Sequence, residues 1–206
     1  MIFLDKITKN RQIIFARIIS SIISQAPLLQ PKIPHFNIPF RVMITNAGEW
    51  GWYSDKKGYR YIRLHPETKK KWPSIDKNLI KLWHKYTKCN YPPNSCLINL
   101  YKNKNSKLGL HQDRDENDFT YPVLSLSLGN TATLLAGSKK NNLQKFTVKS
   151  GSIYTLSGET RMFYHSIQEV EEGTSDLFHK SLISNFPANS RVSITLRVYT
   201  PPSTED

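Results

Sequence analysis

The chain has 206 residues, 38% hydrophobic and 22% charged, enough for one domain with a substantial core, and no uncharged apolar run approaches the ~20 residues that cross a membrane. Its two cysteines, Cys89 and Cys96, make neither a disulfide framework nor a zinc-type C-x-x-C pair, and they fit a reducing cytoplasm. The formal charge is +13, of which residues 1–90 carry +12 through 17 Lys and Arg against 5 Asp and Glu; a basic region so concentrated suits a polyanion such as nucleic acid.

The first predicted element is a helix capped by Asn10, running toward Ala26 and stopped by Pro27. Ile14, Ile18 and Ile22 recur at i, i+4, i+8 and mark its apolar face. Arg17, Ser20 and Ser21 interrupt the apolar run, so it reads as an amphipathic helix rather than a signal peptide. Residues 27–40 are Pro-rich and read as an extended loop. Residues 41–73 mix strand formers, Gly turns and basic residues with Trp50, Trp52, Tyr53, Tyr59, Tyr61 and Trp72. Asp76 caps a second helix through Lys88, with Leu79, Leu82, Trp83 and Tyr86 facing inward.

After Pro93 the texture changes. "CLINLYK", "KLGLHQD", "PVLSLSLG", "QKFTVKSGSIYTL" and "RVSITLRVYT" alternate or run apolar over short lengths, punctuated by Gly, Asn and Ser. Short strands at close spacing predict a sandwich or barrel, and the jelly roll fits. The expected fold class is α+β, mainly β: an N-terminal α/β extension over 1–90 and a β-rich core over 91–206, acting as one functional unit.

The stretch "LGLHQDRDE", residues 108–116, places His111, Asp113 and Asp115 at alternate positions, which share one face of a strand. An imidazole beside two carboxylates calls for a metal ion, a basic side chain or a cationic substrate. His165, in "RMFYHSI", lies 54 residues beyond His111. Two histidines and one carboxylate, His111, Asp113 and His165, match the arrangement of non-haem Fe(II) oxygenases, which leaves coordination positions open. On the last strand Arg191 and Arg197 share a face, with Val192, Ile194, Leu196 and Val198 on the other. Their Cα atoms lie about 20 Å apart. Arginine forks match carboxylates, so the pair either brackets a short dicarboxylic acid such as 2-oxoglutarate or stands solvated on an edge strand.

Taken in order and spacing, "CLINLYK", "LGLHQDRDE", "SLSLG", "GETRMFYHSI" and "RVSITLR" closely resemble the AlkB family of Fe(II)- and 2-oxoglutarate-dependent dioxygenases, of the bacterial DNA-repair type. The resemblance covers residues 41–200 and implies a double-stranded β-helix core. It implies that His111, Asp113 and His165 hold iron, and that Asn99 and Tyr101 contact 2-oxoglutarate. It places Arg191 on the distal carboxylate of 2-oxoglutarate and Arg197 nearer the keto-acid end. "TNAGEWGW" and "KKGY" resemble the family's nucleotide-recognition lid, with Trp52 stacking on a flipped base, Tyr59 touching the backbone and Asp115 facing the base. The implied reaction is oxidative demethylation of bases such as 1-methyladenine and 3-methylcytosine in DNA, single or double stranded, with RNA left open. It consumes Fe(II)-bound 2-oxoglutarate and O2 and releases succinate, CO2 and formaldehyde. A cytoplasmic monomer is expected. Ile44 and Asn141 depart from the family pattern at positions taken as the substrate rim, which leaves lesion preference open. The alternative is a related hydroxylase or demethylase of a protein or small molecule.

Overall fold

The computed structural model describes residues 3–178 and 186–202. In chain order the elements are β1 (Phe3–Lys6), α1 (Lys9–Gln25), β2 (Met43–Gly48), β3 (Gly51–Asp55), β4 (Gly58–Ile62), α2 (Lys77–Thr87), β5 (Ser95–Tyr101), β6 (Leu108–His111), β7 (Val123–Gly129), β8 (Thr131–Lys139), β9 (Asn142–Val148), β10 (Ser152–Leu156), β11 (Tyr164–Glu171) and β12 (Arg191–Arg197). They form a six-stranded sheet ordered β1-β10-β7-β12-β5-β2, a four-stranded sheet ordered β6-β11-β8-β9 and the β3–β4 hairpin. Every pairing is antiparallel. This is the jelly-roll core expected from the spacing of short strands.

The larger sheet is buried on both faces, and the alternation of its strands sorts two kinds of residue. Ile98, Leu100, Leu124, Leu126, Leu128, Ile153, Val192, Ile194 and Leu196 point outward into an apolar core shared with α1 and α2. Leu97, Tyr101, Val123, Tyr154 and Leu156 point inward and meet Ala132, Leu134, Ala136, Ile167 and Val170 of the smaller sheet. Between those apolar residues the inner face carries Asn99, Ser125, Ser127, Arg191, Ser193, Thr195 and Arg197, all buried. A period of two with one apolar and one polar face is what "SLSLG" and "RVSITLR" encode, and here the polar face looks into a cleft rather than into water. The residues over 1–90 supply both edge strands of this sheet, β1 and β2, both helices on its outer face and the β3–β4 hairpin.

The second helix begins at its expected cap, where the Asp76 carboxylate accepts from the Asn78 N–H at 2.7 Å. The first helix differs from expectation in two respects. Its N-cap is Thr8, not Asn10. Its buried face is Gln12, Phe15, Ala16, Ile19 and Ile22, whereas Ile14 is 46% exposed. Isoleucines occur on two adjacent stripes of this helix, and periodicity alone does not choose between them; the bulky Phe15 beside the small Ala16 does, by letting the helix approach the sheet. Among the described residues, no helix is long and apolar enough to cross a membrane.

The two stripes make a direct comparison. Ile19→Ala removes a fully buried side chain and should cost about 2–5 kcal/mol, while Ile14→Ala should stay within about 0.5 kcal/mol of the parent. Urea unfolding of both variants measures the difference.

Candidate active site

β6 ends at His111, and the chain leaves the sheet as a loop through residues 112–116. Asp113 and Asp115 therefore do not share a strand face with His111, contrary to the alternation argument. The loop instead turns Asp113 back toward the sheets. His165, on β11, is the direct cross-strand partner of His111, with ring centroids 4.3 Å apart. Asp113 Oδ1 stands 3.6 Å from His111 Nε2 and 3.8 Å from His165 Nε2. The three groups offer ligand atoms within 4.8 Å of one another.

Each imidazole is oriented by its own backbone. His111 Nδ1 lies 2.8 Å from the Gly109 carbonyl and His165 Nδ1 lies 3.1 Å from the Phe163 carbonyl. A carbonyl only accepts, so Nδ1 carries the proton and donates it, leaving the Nε2 lone pair of both rings toward the cluster. Burial pushes the Asp113 carboxyl up, but Arg197, with His165, His111 and Arg161, outweighs it and holds the group well below the usual carboxylate range. Its Oδ2 is buried and hydrogen-bonds to no described residue. A buried anionic oxygen beside two imidazoles whose Nε2 atoms face it is a donor set that a divalent cation satisfies.

Both arginines of β12 are buried, because β12 lies in the middle of the larger sheet between β7 and β5. This removes the solvated edge-strand alternative. Arg197 Nη2 lies 2.9 Å from Asp113 Oδ1, at the metal end of the cleft. Arg191 is 0% exposed. It donates from Nε to Ser127 Oγ at 3.0 Å and stands over the Tyr101 ring at 4.7 Å. Its Nη1 and Nη2 are buried without a hydrogen-bond partner among the described residues. A guanidinium fork left open in a buried cleft demands a carboxylate-like anion. Tyr101, opposite Arg191 in the β5–β12 ladder, has its hydroxyl pushed up to about 12 by burial, with Arg191 opposing. Asn99 faces the same cleft from β5, opposite Ser193.

Two aromatic residues of the hairpin, Trp52 and Tyr59, lie beside the loop that carries Asp113 and Asp115. Trp52 Nε1 donates to Asp115 Oδ2 at 2.9 Å, and the Trp52 ring stacks on Tyr59 at 5.7 Å. Asn46 fixes the Trp52 backbone, accepting from its N–H at 3.0 Å and donating to its carbonyl at 3.1 Å. Tyr59 is 50% exposed. The two positions taken as the substrate rim fare differently. Ile44 is not on a rim: it is fully buried in the inner core, opposite Asn99 on β5. Asn141 is exposed in the turn between β8 and β9.

Sequence reasoning missed the support beneath this site. Glu116 is buried, with Oε2 accepting from Arg161 Nη2 at 3.0 Å and Oε1 accepting from the Tyr61 hydroxyl at 2.7 Å. Arg161 also donates to the Asp113 carbonyl at 2.6 Å and the Tyr121 carbonyl at 2.9 Å. The available signal was the last acid of "HQDRDE" and the arginine of "GETR", opposite charges beside the two metal-ligand motifs.

A jelly roll with two imidazoles, an ionised carboxylate and an open guanidinium in one cleft defines a non-haem oxygenase that takes an anionic co-substrate. The family described as the 2OG-Fe(II) oxygenase superfamily matches residues 2–197. The "Alpha-ketoglutarate-dependent dioxygenase AlkB homolog" of Caulobacter vibrioides is 39% identical over 161 residues, 77% of this chain and 69% of that protein. The "Alpha-ketoglutarate-dependent dioxygenase AlkB" of Escherichia coli is 37% identical over 163 residues, 76% of this chain and 74% of that protein. The solved structure of OsALKBH1 superposes with a TM-score of 0.76 at 23% identity, covering 96% of each chain, which shows the shared fold. The chain belongs to the 2OG-Fe(II) oxygenase superfamily, and within it to the AlkB dioxygenases. Its cofactors are those of the family, Fe(II), 2-oxoglutarate and O2.

Burial, reinforced by the His111 ring, pushes His165 down to about 4 from an ordinary value of 6.5. The unfolded chain then takes up this proton first as the pH falls, so metal-free protein should lose stability between about pH 6.5 and about pH 4. Asp113, held below the usual carboxylate range, adds its own loss only at lower pH. Urea midpoints in the presence of a chelator should fall across that window, and His165→Gln should flatten the slope.

Proposed function

We propose that this dioxygenase removes methyl groups from N-alkylated nucleobases in nucleic acid, with His111, Asp113 and His165 holding the iron. The observation that carries the assignment of the cleft is the buried, unpartnered fork of Arg191 across from the His–Asp–His cluster. Fe(II) bound with 2-oxoglutarate and O2 supplies hydroxylation of the methyl carbon, after which formaldehyde leaves and the base is restored, with succinate and CO2 as co-products.

The protein's part is to bind, orient and exclude water. Arg191 takes the distal carboxylate of the co-substrate, Tyr101 and Asn99 line its path, and Arg197 stands at the keto-acid end while holding Asp113 ionised. Trp52 offers a ring face to a base lifted out of its stack, and Tyr59 borders the strand. Asp115 fits recognition of charge. Methylation at adenine N1 or cytosine N3 leaves a cationic ring, and a carboxylate at the mouth favours it over neutral methylated bases. Residues 1–90 bring Trp52 and Tyr59 to the substrate, and residues 91–206 bring the iron and co-substrate groups together with Asp115. A monomer suffices for this reading, because it calls on no group from a second copy. The concentrated basic charge supports DNA, and it accommodates RNA equally well. The cysteine pattern supports action in the cytoplasm.

The test is formaldehyde release from oligonucleotides carrying 1-methyladenine or 3-methylcytosine, which should require both Fe(II) and 2-oxoglutarate. Arg191→Ala should raise the 2-oxoglutarate concentration at half-saturation by about 10- to 150-fold, the equivalent of a charged hydrogen bond of roughly 1.5–3 kcal/mol. An unchanged half-saturation point would remove Arg191 from the co-substrate site.

Asp115→Asn separates charge from shape, because an amide oxygen can still accept from the Trp52 indole. The ratio of kcat/KM on cationic against neutral methylated bases should drop by about 10-fold or more. An unchanged ratio would leave Asp115 as a support for Trp52 alone.

A further inference from the structure

From Lys6 to Gly48, the end of β2, the chain carries no acidic residue: this span holds Lys6, Lys9, Arg11, Arg17, Lys32 and Arg41 and neither Asp nor Glu. Within this span the Pro-rich segment 27–40 is not a loose connector. The Ile33 N–H donates to the Ile38 carbonyl at 2.8 Å, the Asn37 N–H to the Ile33 carbonyl at 3.1 Å and the Phe40 N–H to the Pro31 carbonyl at 2.9 Å. Lys32 and Pro39 pair across its base. These bonds hold a turn with Phe36 at the tip, 73% exposed, and Ile38 beside it, 54% exposed.

The tip is maintained against local preference. His35 and Asn37, on either side of Phe36, have φ of 66° and 55°, in the left-handed region that non-glycine residues rarely occupy. Conformations of this kind persist where the surroundings impose them, and they gather at binding sites. A large aromatic side chain is thereby presented to water by a hydrogen-bonded turn.

The turn is also fastened to the substrate hairpin. The Ser54 hydroxyl of β3 donates to the Lys32 carbonyl at 2.6 Å, and the Lys32 N–H donates to the Ser54 carbonyl at 3.1 Å. The Phe40 ring lies 6.2 Å from the Trp52 ring. Lys32 and Arg41, both exposed, flank the turn.

We infer that the Phe36 turn is a second base-stacking contact, outside the catalytic cleft, for the nucleic-acid strand that delivers its base to Trp52. The inference rests on the nucleic-acid reading given above. A flat ring stacks on any base, and the adjacent cations meet phosphates. An aromatic tip flanked by Lys32 and Arg41 and fastened to the Trp52 hairpin favours a polyanion over an apolar protein partner or a second copy of the chain.

Binding of a labelled, unmethylated oligonucleotide to the full chain at low salt, followed by anisotropy, tests it with Phe36→Leu and Phe36→Tyr. Leucine keeps the apolar surface and loses the ring face; tyrosine keeps the ring. Phe36→Leu should weaken binding by about 5- to 150-fold, the loss of one base–aromatic stack. Phe36→Tyr should bind like the parent. The salt dependence of both variants should run parallel to the parent's, since no phosphate contact is removed. Thermal melting of both should match the parent, because the side chain is exposed. Parent protein that binds the oligonucleotide while Phe36→Leu binds it equally well would overturn the stacking contact alone. Parent protein that binds no oligonucleotide would overturn the nucleic-acid reading and this inference together.

Discussion

The site depends on the pairing of Asp113 with Arg197. Two buried carboxylates, Asp113 and Glu116, and two buried guanidiniums, Arg161 and Arg197, lie together under the histidines. An unmatched ion in such a place costs several kcal/mol, and a matched one is tolerated only when its remaining valences are also met. Here the four formal charges cancel. Arg161 uses the Glu116 carboxylate and two backbone carbonyls, while Arg197 stands between Asp113 and Glu116. The balance keeps Asp113 an anion in spite of burial, as metal ligation requires. Arg191, buried in the same cleft with its fork unpartnered, stands outside this balance, and its uncompensated charge favours an anionic co-substrate.

The buried polar face of the larger sheet explains which parts of the fold could be read from the chain. "RVSITLR" alternates strictly, and alternation assigns residues to faces whatever covers them. Whether Arg191 and Arg197 meet water or a cleft depends on the strands beside β12, and those pairings span distant parts of the chain: β7 lies on one side and β5 on the other. The metal ligands were legible as residue types at a spacing, but the reason given for their proximity was wrong. His111 and His165 meet because β6 and β11 pair, and Asp113 reaches them from a loop. The face of α1 was ambiguous because two isoleucine stripes compete. Glu116 and Arg161 carried no periodicity at all; 45 residues separate them, and only the fold brings opposite charges together.

Departure from strand geometry after His111 lets one short loop serve three neighbours. In a continued strand, Asp113 and Asp115 would point the same way and Glu116 the other. In the loop, Asp113 turns to the histidines, Asp115 to the Trp52 indole and Glu116 to Arg161 and Tyr61. Three acids within four residues would repel one another on a common face. Separated in this way, each has its own donor or cation. The loop thereby ties His111 and Asp113 to the β3–β4 hairpin through Asp115 and to the buried ion pair through Glu116. Gly48 permits the other attachment of that hairpin. Its φ of 109° turns β2 toward β3, and a side chain there would collide with the Asn94 carbonyl. Trp52 is thus held at its backbone by β2 through Asn46 and at its indole by the loop that carries Asp113, so the hairpin and the His–Asp–His cluster share one set of supports.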